Sequence, residues 1–333
     1  MAKKTAGHSS GLVTRYDDLL KRLPTCLRDR VMQDVMLAPL TTLRVGGPAD
    51  IFLPVGTAEE LAEAVCAIRA TGVPWFVLGG GSNVCVSDRG FRGAILLNRC
   101  TNLSLGELTT TGTGVGLMQL FLKAACAGLG GLEFAVGIPG TLGGALVSNA
   151  GAYRRSIAPL VESLEVVENG AVRSVSPAWM EFGYRDSRLR RCPETDACIL
   201  SVTLRLTSRP PQEIFQEARE YQRNRIHRQP WQASAGSFFK NVYDEELAQR
   251  LPGLPQELRE AGVVPAGYLS AACGCKGLGC GGAQVSPRHG NFIVNRGGAT
   301  AQDIRTLAET VKERVRNAYG VVLEEEVLYV GEW

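Results

Sequence analysis

Apolar positions along this chain recur with two different periods. Over residues 57–72 the spacing is helical, with Leu61, Ala64, Val65 and Ile68 on one face. Thr57 and Glu60 are spaced as a capping box, and Gly72 stops the run. Trp75-Phe76-Val77-Leu78 is a short continuous apolar run that predicts a buried strand. Residues 94–97 predict a second strand, after the turn signal Asp88-Arg89-Gly90. Helical spacing returns over 118–129, and strand-like runs follow at 163–167, 171–175 and 198–206. Arg209-Pro210-Pro211 breaks the pattern and predicts a domain boundary. Beyond it, 213–228 reads as a charged helix. A long helix starts at Thr300, with Asp303 three residues on, and ends at Gly320. Ile304, Leu307, Val311 and Val315 line its apolar face. Residues 321–330 alternate as a strand, which puts Glu324 and Glu326 on one face with Val322, Leu328 and Val330. Residues 1–36 are a polar lead-in with one amphipathic patch at 16–27. They read as a frayed tail and a short helix, with ordered core beginning near Leu37. Strands and helices mix without a strict strand–helix–strand rhythm, so the class predicted is α+β rather than a doubly wound sheet.

Composition narrows the function classes. Among 333 residues, 36 Lys and Arg against 33 Asp and Glu leave a net charge of +3, which supplies no polybasic surface for nucleic acid. Hydrophobic residues at 45% and charged residues at 21% fit a globular chain. The first twenty residues lack an apolar signal core, and the uncharged stretch 134–153 is interrupted by Gly, Pro and Asn. A cytoplasmic protein without a membrane segment is expected. Of the ten cysteines, Cys66, Cys85, Cys100, Cys126 and Cys198 sit singly in apolar contexts and read as reduced core residues. Cys273, Cys275 and Cys280 cluster without a second half at zinc-ligand spacing, so no metal is assigned.

Candidate chemistry falls on five stretches. Gly79-Gly80-Gly81-Ser82-Asn83 directly follows the 75–78 strand; it is either an ordinary tight turn or a backbone nest for a phosphate. Residues 137–144, with Gly137, Gly140, Thr141, Gly143 and Gly144, are either close packing or a second phosphate-contacting loop. Two such loops suit the pyrophosphate of a dinucleotide. Ser237, after Gly236 and before an aromatic pair, with Lys240 and Asn241 close by, is a hydroxyl able to move a proton, or part of a strand with polar ends. Glu326 is either a carboxylate among apolar neighbours or a solvated edge residue. Arg185, in Phe182-Gly183-Tyr184-Arg185-Asp186-Ser187, is either a fixed guanidinium for an anion or one member of a solvated basic loop with Arg188, Arg190 and Arg191. Gly277, Gly279 and Gly282 match a dinucleotide fingerprint but lack the preceding apolar strand, and are set aside. His8, His227 and His289 receive no catalytic role.

Taken together, these stretches resemble the UDP-N-acetylenolpyruvoylglucosamine reductase family. The resemblance runs from about Leu40 onward through TTLRVGGPAD at 41–50, VLGGGSNVCVSD at 77–88 and GIPGTLGGA at 137–145. It continues through NAGAY at 149–153, FGYRDS at 182–187, SAGSFFKN at 234–241, GGAQVS at 281–286, HGNFIVN at 289–295 and LEEEV at 323–327. It implies a two-subdomain FAD-binding fold of the PCMH type over 37–208, after an extension at 1–36. A C-terminal α+β substrate-binding domain would cover 212–333, with an insertion near 245–265. The implied cofactor is FAD, with NADPH as co-substrate and UDP-N-acetylglucosamine enolpyruvate as substrate; a monomer is expected. Residues 79–83 and the 137–144 loop match pyrophosphate contacts. Arg185, Ser237 and Glu326 match catalytic positions, and Lys240 and Asn241 match substrate contacts. Hydride would pass from NADPH to FAD to C3 of the enolpyruvyl group, with Ser237 protonating C2. The contexts resemble the shorter branch of the family, without an extra tyrosine loop. Val242 stands where proline is usual, and Ser148 where methionine is usual. A flavin oxidase of the same fold, or a binding protein that kept it, would differ in the response of the flavin to NADPH.

Overall fold

The computed structural model describes residues 15–192 and 196–333, which form two units. His8 and the start of the lead-in lie outside the described residues. Among the described residues, the first unit holds 15–35, 49–80 and 91–223, and the second holds 36–48, 81–90 and 224–333.

In the first unit, Pro48–Val55 and Trp75–Leu78 both pair in parallel with Phe91–Asn98, and Met32–Met36 pairs on the outer side of Pro48–Val55. The helix Ala58–Arg69 crosses over between the two flanking strands. Its Thr57 hydroxyl accepts from the Glu60 N–H at 3.2 Å, while the Glu60 carboxylate accepts from the Gly56 N–H at 2.7 Å, one residue before the capping position. Leu61, Ala64, Val65 and Ile68 are fully buried against Ile51, Leu53, Val55 and Leu96. The same cluster takes Leu19, Leu23 and Leu27, each at most 2% exposed. Ordered core therefore begins well before Leu37: the amphipathic patch packs its apolar stripe on the sheet, and burying each such leucine stabilises by about 1.5–3 kcal/mol.

A five-stranded antiparallel sheet completes this unit, in the order Ala171–Val175, Val161–Glu168, Cys198–Arg205, Leu108–Gly112, Leu103–Ser104. Leu117–Cys126 lays Leu117, Leu120 and Phe121 into a core shared with Phe134, Leu142, Leu164 and Leu204. The Arg209-Pro210-Pro211 break starts a helix at Pro211–Arg228, and the division between units falls at 223/224, inside that helix.

The second unit is built on the helix Ala301–Tyr319. Thr300 and Asp303 form the predicted capping box, and Gly320 ends the helix at φ +74°. Ile304, Leu307, Val311 and Val315 pack against a small antiparallel sheet of Ala233–Ser234, Ile293–Asn295, Ala283–Val285 and Gly279–Cys280. Residues 245–265 join this core: Glu245–Arg250 and Gln256–Glu260 are short helices, with Leu247, Leu251 and Leu254 buried. Gly277, Gly279 and Gly282 lie in and around the hairpin of Gly279–Cys280 and Ala283–Val285. The 321–330 strand is shorter than its alternation suggests. Only Leu328–Val330 is strand, paired in parallel with Val84–Val86. Val322 is 69% exposed, while Leu323, Val327 and Val330 are buried, a spacing that period two does not produce.

Candidate active site

Two glycine-rich stretches of the first unit meet backbone to backbone. A Cβ on Gly80 would lie 2.8 Å from Gly140 Cα, and one on Gly79 would lie 2.2 Å from Thr141 Oγ1. The 140–143 segment is fixed in turn by Leu117 N–H to Gly140 O at 3.0 Å, Leu142 N–H to Val115 O at 2.9 Å and Gly143 N–H to Thr113 O at 2.8 Å. Close packing is thus one role of these glycines. Among the described residues, the N–H groups of Gly80, Gly140, Thr141 and Gly144 donate to no carbonyl. The two readings are compatible: the glycines that let the loops touch also leave backbone donors uncommitted to a carbonyl, as an anionic group requires.

Arg185 is a fixed cation. Its own φ is +51°, and Asn149 beside it is at φ +43°. The Arg185 guanidinium donates to Gly151 O and, at 3.3 Å, to Asn149 O. Asn149 is 8% exposed and donates its amide to Gly183 O at 2.7 Å. Gly183 and Asp186 bridge to each other, and the buried Ser187 hydroxyl donates to Val147 O at 2.6 Å while capping Arg188–Arg191. The neighbouring arginines are engaged elsewhere. Arg188 lies over the Trp179 ring at 4.7 Å, and Arg191 pairs with Asp186 and Glu181. Nothing in the sequence singles out Asn149 within its NAGAY stretch, because its partners Gly183 and Arg185 lie more than thirty residues on.

In the second unit, Gly81 at φ +61° packs on Leu40 and Thr41, where a Cβ would sit 2.1 Å from Leu40 O. The Asn83 side-chain Nδ2 donates to Glu326 O at 3.0 Å, and the Asn83 backbone carbonyl accepts from Leu328 N–H at 3.0 Å. Glu326 lies in an irregular segment, and its N–H donates to Phe238 O at 2.8 Å. Ser237 therefore adjoins a residue hydrogen-bonded to Glu326, and both are half-buried. Lys240 N–H donates to Glu324 O at 2.8 Å, and its ammonium pairs with the exposed Glu324 carboxylate at 2.5 Å. Asn241 Oδ1 accepts from Ala266 N–H at 3.3 Å, at the start of the helix Ala266–Ala272.

The remaining candidates keep clear of this chemistry. Cys85, Cys100 and Cys198 are buried, and desolvation pushes each thiol up to about 12, which makes it inert near neutrality. Cys126 is exposed and Cys66 half-buried, contrary to the core role expected of them. Cys275 donates weakly to Cys273 O at 3.9 Å, and Cys273 to Arg314 O at 3.7 Å. Desolvation also lowers the His289 imidazole below its usual value, with Lys276 and Arg228 adding to the effect. Among the described residues, no helix is long and apolar enough to cross a membrane.

The chain matches two family models. Residues 49–175 match an FAD binding domain, and 229–330 match the UDP-N-acetylenolpyruvoylglucosamine reductase C-terminal domain. The UDP-N-acetylenolpyruvoylglucosamine reductase of Geobacter metallireducens is 38% identical over 320 residues, spanning 95% of this chain and 99% of the relative. That of Desulfosudis oleivorans is 40% identical over 324 residues, spanning 93% and 97%. The crystal structure of the Thermus caldophilus reductase superposes with a TM-score of 0.72 at 37% identity, covering 90% of this chain and 99% of that one. A group held through anionic oxygens fits the uncommitted N–H donors of the 79–80 and 140–144 loops, both inside the matched FAD-binding domain. With 36–40% identity over most of their length to reductases of one name, and both of its domains matched in order, this chain is an FAD-binding oxidoreductase that belongs to the UDP-N-acetylenolpyruvoylglucosamine reductase family.

Proposed function

We propose that this protein reduces UDP-N-acetylglucosamine enolpyruvate to UDP-N-acetylmuramate for peptidoglycan precursors in the cytoplasm, with NADPH as reductant. The single observation carrying this reading is near-complete coverage, 99%, of a relative bearing the reductase name. FAD, when bound, supplies the relay of hydride from NADPH to C3 of the enolpyruvyl group. The 79–83 and 137–144 loops would hold its pyrophosphate through backbone donors, with Thr141 alongside.

The protein's own residues then place charge and a proton. Arg185 is a guanidinium aimed by backbone carbonyls and suits the carboxylate of the enolpyruvyl group, where negative charge grows as hydride arrives. Glu326 acts at the same developing enolate. Ser237 carries the proton for C2: its hydroxyl hydrogen transfers to that carbon, and the oxygen regains a proton from water. Lys240 and Asn241 contact substrate in this reading, Lys240 by exchanging its exposed Glu324 partner for a substrate anion.

Anaerobic visible spectroscopy tests the whole scheme. The flavin band should bleach with NADPH and return with the enolpyruvyl sugar nucleotide. A flavin that bleaches but stays reduced would reassign the substrate, and a protein that takes up no FAD would reduce the loops to scaffold.

A further inference from the structure

The motif HGNFIVN at 289–295 drew no individual role from the sequence, yet its Asn291 is 4% exposed and makes three hydrogen bonds to the segment that carries Ser237. Asn291 Oδ1 accepts from Phe239 N–H at 2.9 Å, and Asn291 Nδ2 donates to Phe239 O at 2.8 Å. The Asn291 carbonyl accepts from Phe238 N–H at 2.7 Å. The side-chain amide thus imitates a neighbouring strand, engaging both backbone groups of one residue. On its other side the same segment meets 324–326. Phe238 O accepts from Glu326 N–H, Phe239 bridges to Glu325, and Lys240 N–H reaches Glu324 O. Phe238 and Phe239 are buried beneath, ring edge to ring face at 5.3 Å. Without the Asn291 side chain, Phe238 N–H keeps its bond to the carbonyl of residue 291, but Phe239 is left with a buried N–H and C=O to satisfy.

We infer that Asn291 is a positioning residue for the chemical step: it fixes the backbone on which Ser237 is carried and, through Phe238 O, the backbone of Glu326. The inference rests on the proton-donor reading of Ser237 given above. A full amide is needed because the N–H and the C=O of one residue are engaged at once by two separate atoms, Oδ1 and Nδ2, whereas Ser offers a single oxygen. Catalytic groups held within a fraction of an ångström lose rate steeply when released; a shift of ~1 Å can cost roughly a hundredfold.

The test is rapid mixing of the FAD-loaded enzyme under anaerobic conditions, with the two half-reactions read separately. Asn291→Ser should leave flavin reduction by NADPH within about twofold of the parent. Reoxidation by the enolpyruvyl sugar nucleotide should slow by about ten- to a hundredfold. Amide hydrogen exchange at Phe239 should speed up in the same protein, independently of turnover. Asn291→Gln keeps both amide groups on a longer stem and serves if the serine variant does not fold; it should show the same split. Parental reoxidation despite faster exchange at Phe239 would overturn the inference. So would equal slowing of both half-reactions, which is the mark of a general structural loss. Ser237→Ala run beside them separates the claims. A parental rate there overturns the proton-donor reading underneath; a slow Ser237→Ala with a parental Asn291→Ser overturns only the positioning role.

Discussion

The 79–80 and 140–144 loops and the 237–240 segment are both held rigidly, by opposite means. The glycine loops are fixed by subtraction: where a Cβ would stand there is instead a neighbouring backbone, 2.8 Å away at Gly80. The Ser237 segment is fixed by addition: the buried Asn291 amide is spent on it, and Asn83 adds one side-chain bond to the adjoining Glu326 stretch. Missing side chains expose N–H groups, which suits a ligand recognised by charge. Added amides consume backbone groups, which suits a side chain that must hold still. The two regions should therefore fail differently.

The largest expected effect is at the segment fixed by addition. Ser237→Ala should lower substrate-driven flavin reoxidation by about 10²–10⁴-fold, the range of a lost general acid, while leaving FAD content and thermal stability unchanged. Single-turnover rates and the flavin-to-protein ratio check it. A Ser237→Ala protein that lost FAD instead would erase the distinction between the regions. Next comes Gly80→Ala, whose methyl must displace the Gly140 backbone. It should cost about 1–3 kcal/mol of stability by overpacking and lower the FAD content. Gly144→Ala is its control, since a Cβ there finds its nearest neighbour at 3.8 Å; it should stay within about 0.5 kcal/mol. Thermal melts with and without added FAD sharpen the contrast. The smallest effect concerns the capping box. The Thr300 N–H, by hydrogen bonding to the Asp303 carboxylate, holds that acid below its usual value. The stabilisation is present at neutral pH and is lost as pH falls through the depressed folded value. Asp303→Asn should cost under about 1 kcal/mol at pH 7, because the carboxylate is only half-buried, and its melting curve should converge with the parent's in acid.

How much of this could be read from the chain depends on the range of the interaction. The Thr300–Asp303 box and the Ala58–Arg69 helix were legible because their signals lie within one or two turns. The glycine loops were legible as loops, but the contact of Gly80 with Gly140 is a tertiary fact. Over 321–330 alternation predicts a strand along which no single pairing partner runs. A strand needs a partner, and Val84–Val86 serves only Leu328–Val330, while 324–326 is drawn toward 238–240. The lead-in misled in the other direction. Its charges looked like a tail, yet Leu19, Leu23 and Leu27 form one apolar stripe. Asn291 is hidden for a plainer reason: an amide that takes the place of a strand looks in sequence like any polar residue in a turn.

The pairing of Val84–Val86 with Leu328–Val330 has a consequence for the protein as it is made. Asn83 and Glu326 stand 243 residues apart, and at about 5–20 residues per second a ribosome needs roughly 12–50 s to travel between them. For that time the apolar segment Val84–Val86 has been made while its partner strand does not yet exist. Until Leu328–Val330 has been made, the newborn chain carries these three apolar residues without the strand that pairs with them in the finished fold.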